Sequence, residues 1–270
     1  MKISIVTISY NQAQFLERAI CSIIEQDHNG LEYIVVDPGS TDGSRDIIER
    51  HRNKIAKIIY EPDRGPADGL NKGFAEAHGE IVGFLNSDDV LEPGALSRVV
   101  QYFEAHPDAD VISGYSWIID AEGNIKRRFF SDRYSLRMAA YGACILSQAS
   151  TFFRAEVFRR AGGFNVENRL SWDGELFVDM ALAGARFSLV PEYWSRFRIH
   201  GDSITGSGKF RAMHEIHRER IFRKIMGREP NSLDRFLVLG ARVAKKVLNP
   251  SDTIERLRHG PVYQPYTLDT

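Results

Sequence analysis

The chain has 270 residues, of which 43% are hydrophobic and 26% charged, an ordinary globular composition with enough apolar material for a core. Its 35 Lys and Arg against 36 Asp and Glu give a net charge of −1, which excludes attraction of the whole molecule to nucleic acid. The balance is uneven, because residues 1–205 carry 22 basic and 29 acidic side chains whereas residues 206–270 carry 13 and 7. A basic end on an acidic body predicts a separate role for that end.

The cysteines and the apolar runs bear on the compartment. Cys21 and Cys144 both lie among apolar neighbours, which indicates free thiols in a reducing environment rather than a disulfide framework. The opening residues lack the apolar length of a signal peptide, and no run approaches the roughly 18 apolar residues of a membrane span. We therefore expect a cytoplasmic protein.

The first 131 residues alternate between short apolar runs, typical of buried strands, and segments with helical periodicity. This alternation predicts an α/β fold with a mostly parallel sheet flanked by helices. A hairpin partner is expected to follow the last of these strands across the sequence AEGN. The predicted strands are 3–10, 31–40, 55–61, 80–86, 109–120 and 124–131, and the predicted helices are 11–26, 45–53, 65–79 and 93–107.

Acidic residues follow three of the predicted strands. Asp37 ends the second, residues 61–68 follow the third, and the adjacent Asp88 and Asp89 end the fourth. Ligands of open parallel sheets bind at the carboxyl ends of the strands, so these carboxylates should gather along one edge. Several carboxylates in one cleft cost free energy unless a cation joins them. The pattern therefore predicts a divalent metal.

The usual backbone cradles for phosphate are missing. The first predicted strand is followed by SYNQAQ, which has no glycine, whereas a dinucleotide-binding turn would carry G-x-G-x-x-G there. The P-loop pattern is absent as well. A nucleoside diphosphate would therefore need a metal held by carboxylates to neutralise it.

Six stretches occur in this order along the chain: ISIVTISYNQAQFLERAICSIIEQ, YIVVDPGSTDGS, EPDRGPADGLNKG, GEIVGFLNSDD, GGFN and RIHGDSIT. Taken together, they resemble family 2 glycosyltransferases, and the nearest comparison is with bacterial enzymes of lipopolysaccharide and other cell-surface polysaccharide synthesis. The resemblance implies the GT-A fold and transfer with inversion from a nucleotide-sugar donor. It covers residues 1–205, with a nucleotide-sugar half at about 1–115 and an acceptor half at about 116–205; residues 206–270 would form a helical extension.

The resemblance implies a metal site and a nucleotide site. Asp89 and His200 would bind Mn²⁺ or Mg²⁺, although Asp89 could also lie in a solvated turn and His200 in the core. Other residues would bind the nucleotide sugar, with Asp37 accepting a hydrogen bond from the uracil N3–H group. A turn, packing or helix-surface role is the alternative for each of these residues. They are Thr7, Tyr10, Asp37, Arg64, Asp68, Asn71 and Asp88.

The resemblance also implies a general base for the acceptor hydroxyl. Asp173, in SWDGELFVDMALAG, corresponds to the family's catalytic aspartate, although Trp172 replaces the preceding acidic residue. Glu175 is the fallback, and helix capping is the alternative role for Asp173. Gln148, Trp172 and Glu175 are expected on the acceptor side.

Two basic amphipathic helices are predicted after residue 205, followed by an irregular tail. They would either pack on the catalytic domain or make a peripheral membrane contact through residues 206–250, where a lipid-linked acceptor would wait.

Two other functions stay open. A nucleotidyltransferase that makes the activated sugar would share the α/β body, but it normally has a glycine-rich basic loop after the first strand. A non-catalytic nucleotide- or carbohydrate-binding module is the third alternative.

Overall fold

The computed structural model describes residues 1–201 and 211–260, except for the side chains of residues 211–215. The predicted domain boundary near residue 205, the end of the HGDSIT stretch and the tail at 261–270 lie outside these residues. The first half alternates between strands and helices as expected. Its elements are β1 (Ile3–Ile8), α1 (Ala13–Ile24), β2 (Leu31–Val36), α2 (Ser44–Arg50), β3 (Lys57–Ile59), α3 (Pro66–Ala75), β4 (Ile81–Asn86), β5 (Val90–Leu91) and α4 (Ala95–Ala105).

The second half contains the predicted hairpin and a more irregular set of elements. β6 and β7 pair in antiparallel fashion, as the sequence predicts. The elements are β6 (Val111–Ile119), β7 (Ile125–Phe129), α5 (Leu136–Ala140), β8 (Thr151–Arg154), α6 (Ala155–Ala161), α7 (Trp172–Leu182), β9 (Phe187–Arg198), α8 (Arg211–Met226), α9 (Ser232–Leu248) and α10 (Pro250–His259).

The strands of the described residues form one sheet in the order β3-β2-β1-β4-β8-β6-β9-β5, with β7 paired to β6. The first four strands in this order are parallel, and their register places Ile8 opposite both Val36 and Asn86. β8 runs antiparallel to β4 and β6, so the second half of the sheet is mixed. The carboxyl ends of β1, β2 and β4 consequently meet at one edge.

Helices cover both faces of the sheet, because each helix has one apolar side to bury. On one face, Leu16 of α1, Ile48 of α2 and Leu96 of α4 belong to a single buried cluster. On the other face, Leu70 of α3 and Leu176 of α7 belong to a second cluster. The sheet therefore lies between two apolar layers, which fix the strand ends that carry the polar residues.

Residues 211–260 contain three helices rather than the predicted two, because Pro250 starts α10 directly after α9. Phe222 of α8 and Ala241 of α9 are buried against Tyr141 in a small third cluster. None of the helices within residues 1–201 and 211–260 is long and apolar enough to cross a membrane.

Candidate functional site

A cleft of about 900 Å³ opens at the edge where β1, β2 and β4 end. Its walls come from the segments that follow these strands, from the start of α7 and from the end of β9. The volume lies within the range of small-molecule and cofactor sites. The convergence expected from the parallel strand pattern is therefore present, and each predicted site residue can be located relative to this cleft.

Asp37, directly after β2, is fully buried and does not itself line the cleft, but the next residue, Pro38, does. Its Oδ1 atom accepts hydrogen bonds from the backbone N–H groups of Gly39 and Ser40, at 3.0 and 2.8 Å, and from Arg45 Nε at 3.0 Å. Among the described residues, its Oδ2 atom has no hydrogen-bond partner although it is buried. A buried acceptor without a donor is costly, so this oxygen suits a ligand that brings an N–H group.

The two adjacent aspartates after β4 have different surroundings. Asp88 lines the cleft, and its Oδ2 atom lies 3.3 Å from Nε2 of His200, which lines the cleft too. Asp89 is fully buried and does not line the cleft; its Oδ1 atom accepts the Arg198 backbone N–H at 2.9 Å. Burial, followed by repulsion from Asp88, raises the pKa of Asp89. Among the described residues, Asp89 Oδ2 is buried without a hydrogen-bond partner. Asp88 shares the cleft with His200, whereas Asp89 lies behind it, and the metal-binding roles expected of Asp89 and His200 stay predictions.

Arg198, which the sequence analysis did not single out, holds this region together. Its side chain is almost fully buried; Nε donates to the Asp88 carbonyl at 2.7 Å, and Nη1 donates to the carbonyls of Asp120 and Ala121 at 2.8 and 2.9 Å. The guanidinium also lies 4.8 Å from the ring centroid of Phe15. The sequence signal that could have identified Arg198 was its spacing of two residues from His200, because residues two apart on an extended strand point to the same side.

Asp173 lies in the first turn of α7 and lines the cleft. Ser171 occupies the N-cap position without a side-chain capping bond, whereas the Asp173 carboxylate accepts backbone hydrogen bonds from Gly174 and from its own residue. Burial raises the pKa of Asp173, and backbone hydrogen bonds only partly oppose this effect. Trp172 also lines the cleft, and its buried Nε1 atom has no partner among the described residues. This wall therefore combines a carboxyl group of raised basicity with an indole donor.

Of the other two residues expected on the acceptor side, one lines the cleft. Gln148 does so, and its amide donates to the Phe84 carbonyl at 2.6 Å and accepts from Asn86 Nδ2 at 3.2 Å. Glu175 is buried outside the cleft, where Arg220 and Lys224 of α8 bind its carboxylate at 2.5 and 3.1 Å. Two basic residues of α8 thus neutralise the carboxylate away from the cleft lining, and the expected acceptor-side role of Glu175 stays a prediction.

The loop before α3 places Arg64 in the cleft. Asp68 does not line the cleft; its Oδ2 atom accepts the Arg64 backbone N–H at 2.9 Å and so supports the loop. Asn71 lies outside the cleft, where it exchanges hydrogen bonds of 2.8 and 2.9 Å with the backbone of Phe164. Thr7 is fully buried within β1 and also does not line the cleft, whereas Tyr10 does so and is exposed. Asp68, Asn71 and Thr7 thus lie outside the cleft lining, and the ligand contacts expected of them stay predictions.

Two further cleft residues were not anticipated. Arg169 reaches the loop before α3 and donates to the Arg64 carbonyl. Asp63 accepts the Gly65 N–H at 2.8 Å, and burial raises its pKa. Asp63 adjoins Arg64 in the same motif, so adjacency could have suggested it, whereas Arg169 carried no pattern of its own.

Outside the cleft, Glu17, Cys21 and His51 are close enough to bind a metal ion, on the evidence of the described residues. His51 Nε2 lies 2.5 Å from Glu17 Oε1, and Arg50 binds the same carboxylate. Since Arg50 and His51 already occupy the carboxylate, we interpret this group as an ion-pair cluster between α1 and α2.

Comparison with known proteins identifies related chains. The model of the glycosyl transferase family 2 matches residues 4–162. An uncharacterized glycosyltransferase of Nostoc sp. is 34% identical over 213 residues, which are 74% of this chain and 66% of the relative. A GalNAc(5)-diNAcBac-PP-undecaprenol beta-1,3-glucosyltransferase of Campylobacter jejuni is 34% identical over 132 residues, 47% of this chain and 42% of the relative. The chain thus spans less than two thirds of the length of both curated relatives.

Solved structures share the fold. Residues 1–349 of S. aureus TarS, in complex with UDP-GlcNAc, give a TM-score of 0.70 at 19% identity, covering 95% of this chain and 74% of that fragment. The mannosyltransferase PcManGT of Pyrobaculum calidifontis, in complex with GDP-Man and Mn²⁺, has a TM-score of 0.65 at 22% identity, covering 96% and 73%. The expected GT-A-like α/β fold with C-terminal helices is confirmed.

Replacing Arg198 by Lys tests its role in holding the cleft. The change keeps the charge but removes the planar fork, so the carbonyls of Asp88, Asp120 and Ala121 lose donors. We expect the free energy of unfolding in urea to fall by about 2–3 kcal/mol. Arg196→Lys is the control: it lies on the same strand in a partly exposed pair with Glu92, and should cost less than about 1 kcal/mol. Equal losses for both variants would contradict the assignment.

Proposed function

The chain belongs to glycosyl transferase family 2, and from that premise we propose that it transfers a sugar, with inversion, from a nucleoside-diphosphate sugar to an acceptor hydroxyl group. One observation carries the proposal: Asp173, a carboxyl group whose pKa is raised by burial, lines the same cleft as Asp88 and His200. The acid–base group and the groups suited to a metal thus adjoin a single space. We assign the chemistry to residues 1–205 and regard the three helices within residues 211–260 as an extension.

The donor half of the cleft suits a uridine nucleotide. The unpartnered Oδ2 atom of Asp37 can accept the N3–H group of uracil, and it would face a lone pair in cytosine or adenine. Tyr10, exposed at the cleft, offers a ring on which the base can stack. Arg64, in the loop that starts α3, supplies positive charge for the phosphates.

Asp88 and His200 fit a divalent metal, because a carboxylate oxygen and an imidazole nitrogen lie 3.3 Å apart in the cleft. These ligand types suit Mn²⁺, and Mg²⁺ is the alternative. When bound, the ion would supply positive charge to the leaving diphosphate. Asp89 then serves the site indirectly, since its bond to the Arg198 backbone fixes the strand that leads to His200.

On the acceptor side, Asp173 would take the proton of the acceptor hydroxyl as that oxygen attacks the anomeric carbon. The new glycosidic bond forms on one face of the sugar while the bond to the diphosphate breaks on the other, which inverts the configuration. Trp172 and Gln148 would orient the acceptor. The acceptor would be a glycan or a lipid-linked saccharide, in keeping with the undecaprenol-linked substrate in the name of the Campylobacter relative.

Replacing Asp173 by Asn tests the base. We expect kcat to fall by about 10²–10⁴-fold, because the amide cannot accept the proton, while UDP binding measured by calorimetry is unchanged. Asp179→Asn is the matched control, since Asp179 lies on the same helix and binds Lys224 instead of lining the cleft. Full activity of the Asp173 variant would refute this role.

The unaltered protein distinguishes the alternative functions. No turnover with any sugar nucleotide would favour a binding module, and formation of a sugar nucleotide would favour a nucleotidyltransferase.

The pH dependence of the same reaction gives a second measurement. The base acts in its ionised form, so the rate should fall as pH decreases through the pKa of Asp173. Because burial raises that pKa, the loss should begin at a higher pH than for an ordinary aspartate. This acidic limb should be absent from the residual activity of the Asn variant.

Manganese binding in the presence of UDP distinguishes the two adjacent aspartates. We expect Asp88→Asn to weaken Mn²⁺ binding by at least ~10-fold, measured by electron paramagnetic resonance of the free ion. Asp89→Asn should retain binding, because the amide oxygen can still accept the Arg198 N–H. The opposite pattern would restore Asp89 as the ligand.

Nucleotide preference tests Asp37. We expect UDP to bind more tightly than CDP by on the order of tenfold or more, and Asp37→Asn to remove that preference. Asp42→Asn is the control in the same loop, because both Asp42 oxygens already accept hydrogen bonds from Ser44 and Ala13. Tighter binding of GDP than of UDP would replace uridine by guanosine in the proposal.

A further inference from the structure

We propose that the outward side of α9 and α10 docks on an anionic membrane surface. The proposal rests on the proposed function, because it supplies a location for a lipid-linked acceptor. α9 exposes an apolar stripe at helical spacing, and Phe236 and Val247 are 73% and 75% exposed. The stripe consists of Leu233, Phe236, Leu239, Val243 and Val247.

Polar contacts hold the opposite side of α9 against the protein. Asp234 is buried and receives two hydrogen bonds from Arg228, at 2.7 and 2.8 Å, and one from Tyr141 at 3.2 Å. Lys245 binds Asp132 at 2.6 Å. Rotating the helix to bury its apolar stripe would leave these buried charges without partners, which is strongly unfavourable for a buried ion pair. The outward position of the stripe is therefore built into the fold.

α10 continues the same arrangement. Its acidic residues Asp252 and Glu255 are buried, and Glu255 accepts the Arg128 backbone N–H of β7 at 2.7 Å. Ile254 and Leu257 point the other way, and Leu257 is 82% exposed. Two consecutive helices thus present apolar side chains to solvent while their carboxylates face inward, which is the reverse of an ordinary surface helix.

The exposed charges on this surface indicate which kind of partner it binds. Arg235, Arg242 and Lys246 are exposed beside the stripe on α9, and Arg258 is exposed on α10. Within Ser232–His259, every acidic residue is buried, so the exposed charge is positive. An apolar stripe flanked by basic residues matches an interfacial helix on anionic lipid. A second copy of the same face would bring like charges together.

The surface is connected to the cleft through the chain. Tyr141 contacts α9 and begins the segment that leads to Leu146, Ser147 and Gln148 of the cleft wall. Docking of α9 would therefore place the proposed acceptor half of the cleft close to the lipid headgroups. The stripe and its basic flank indicate the membrane, and this connection would bring a lipid-linked acceptor near the cleft.

Sedimentation with vesicles of phosphatidylcholine, with and without 30% phosphatidylglycerol, tests the proposal on the full chain. We expect binding to the anionic vesicles only. Phe236→Ser with Val247→Ser should weaken it by at least ~10-fold, since less apolar surface enters the interface. Replacing Arg235, Arg242 and Lys246 by Gln should weaken it on the order of 100-fold at low salt. Leu182→Ser, which removes an exposed apolar side chain from α7, should have no effect.

The outcomes separate this proposal from the proposed function. Absent binding, binding without preference for anionic lipid, or stripe variants that bind normally would each overturn docking. Analytical ultracentrifugation gives one more outcome. If the unaltered protein is a dimer and the stripe variants are monomers, the stripe is a self-association surface and docking is overturned. Transfer to a soluble acceptor should be unchanged in the stripe variants. A protein that docks but transfers no sugar would refute the proposed function and leave the docking surface in place.

Discussion

The candidate site depends on one buried guanidinium. Arg198 donates to backbone carbonyls of the loop after β4 and of the β6–β7 turn, and its own backbone N–H is accepted by Asp89. A buried cation is tolerated only when its donors are satisfied and a carboxylate lies nearby. Meeting these requirements brings three distant segments to one point, and Asp88 and His200 project from two of them. The geometry suited to a metal therefore follows from burying an arginine.

The first half of the fold was predictable because its signals are local. Apolar strands and amphipathic helices can be recognised within ten or fifteen residues, and parallel pairing then requires the strand ends to meet at one edge. The place of Asp37 beside the cleft followed from this rule. The mixed second half of the sheet was less accessible, since β8 and β9 pair through contacts remote in sequence.

Side-chain direction was the part that the sequence did not determine. Asp88 and Asp89 are adjacent acids after the same strand, and the Asp89 side chain is bonded to the Arg198 backbone N–H, more than a hundred residues away, whereas Asp88 lines the cleft. Asn71 was likewise assigned to a ligand, but the Phe164 backbone occupies its amide. The same difficulty applies to α9, where periodicity revealed an apolar side but not that Asp132 and Arg228 would hold the polar side inward.

The C-terminal helices also bear on the proposed base. Glu175 lies on the same first turns of α7 as Asp173, and its buried carboxylate is bound by Arg220 and Lys224 of α8. Removing α8 would leave that carboxylate buried without a cation, a cost that the start of α7 could relieve only by moving. Because the start of α7 is also the wall that carries Asp173, the position of the proposed base depends on a helix outside the family match at residues 4–162. The basic extension is thus part of the structure that positions the site, in addition to any surface that it presents.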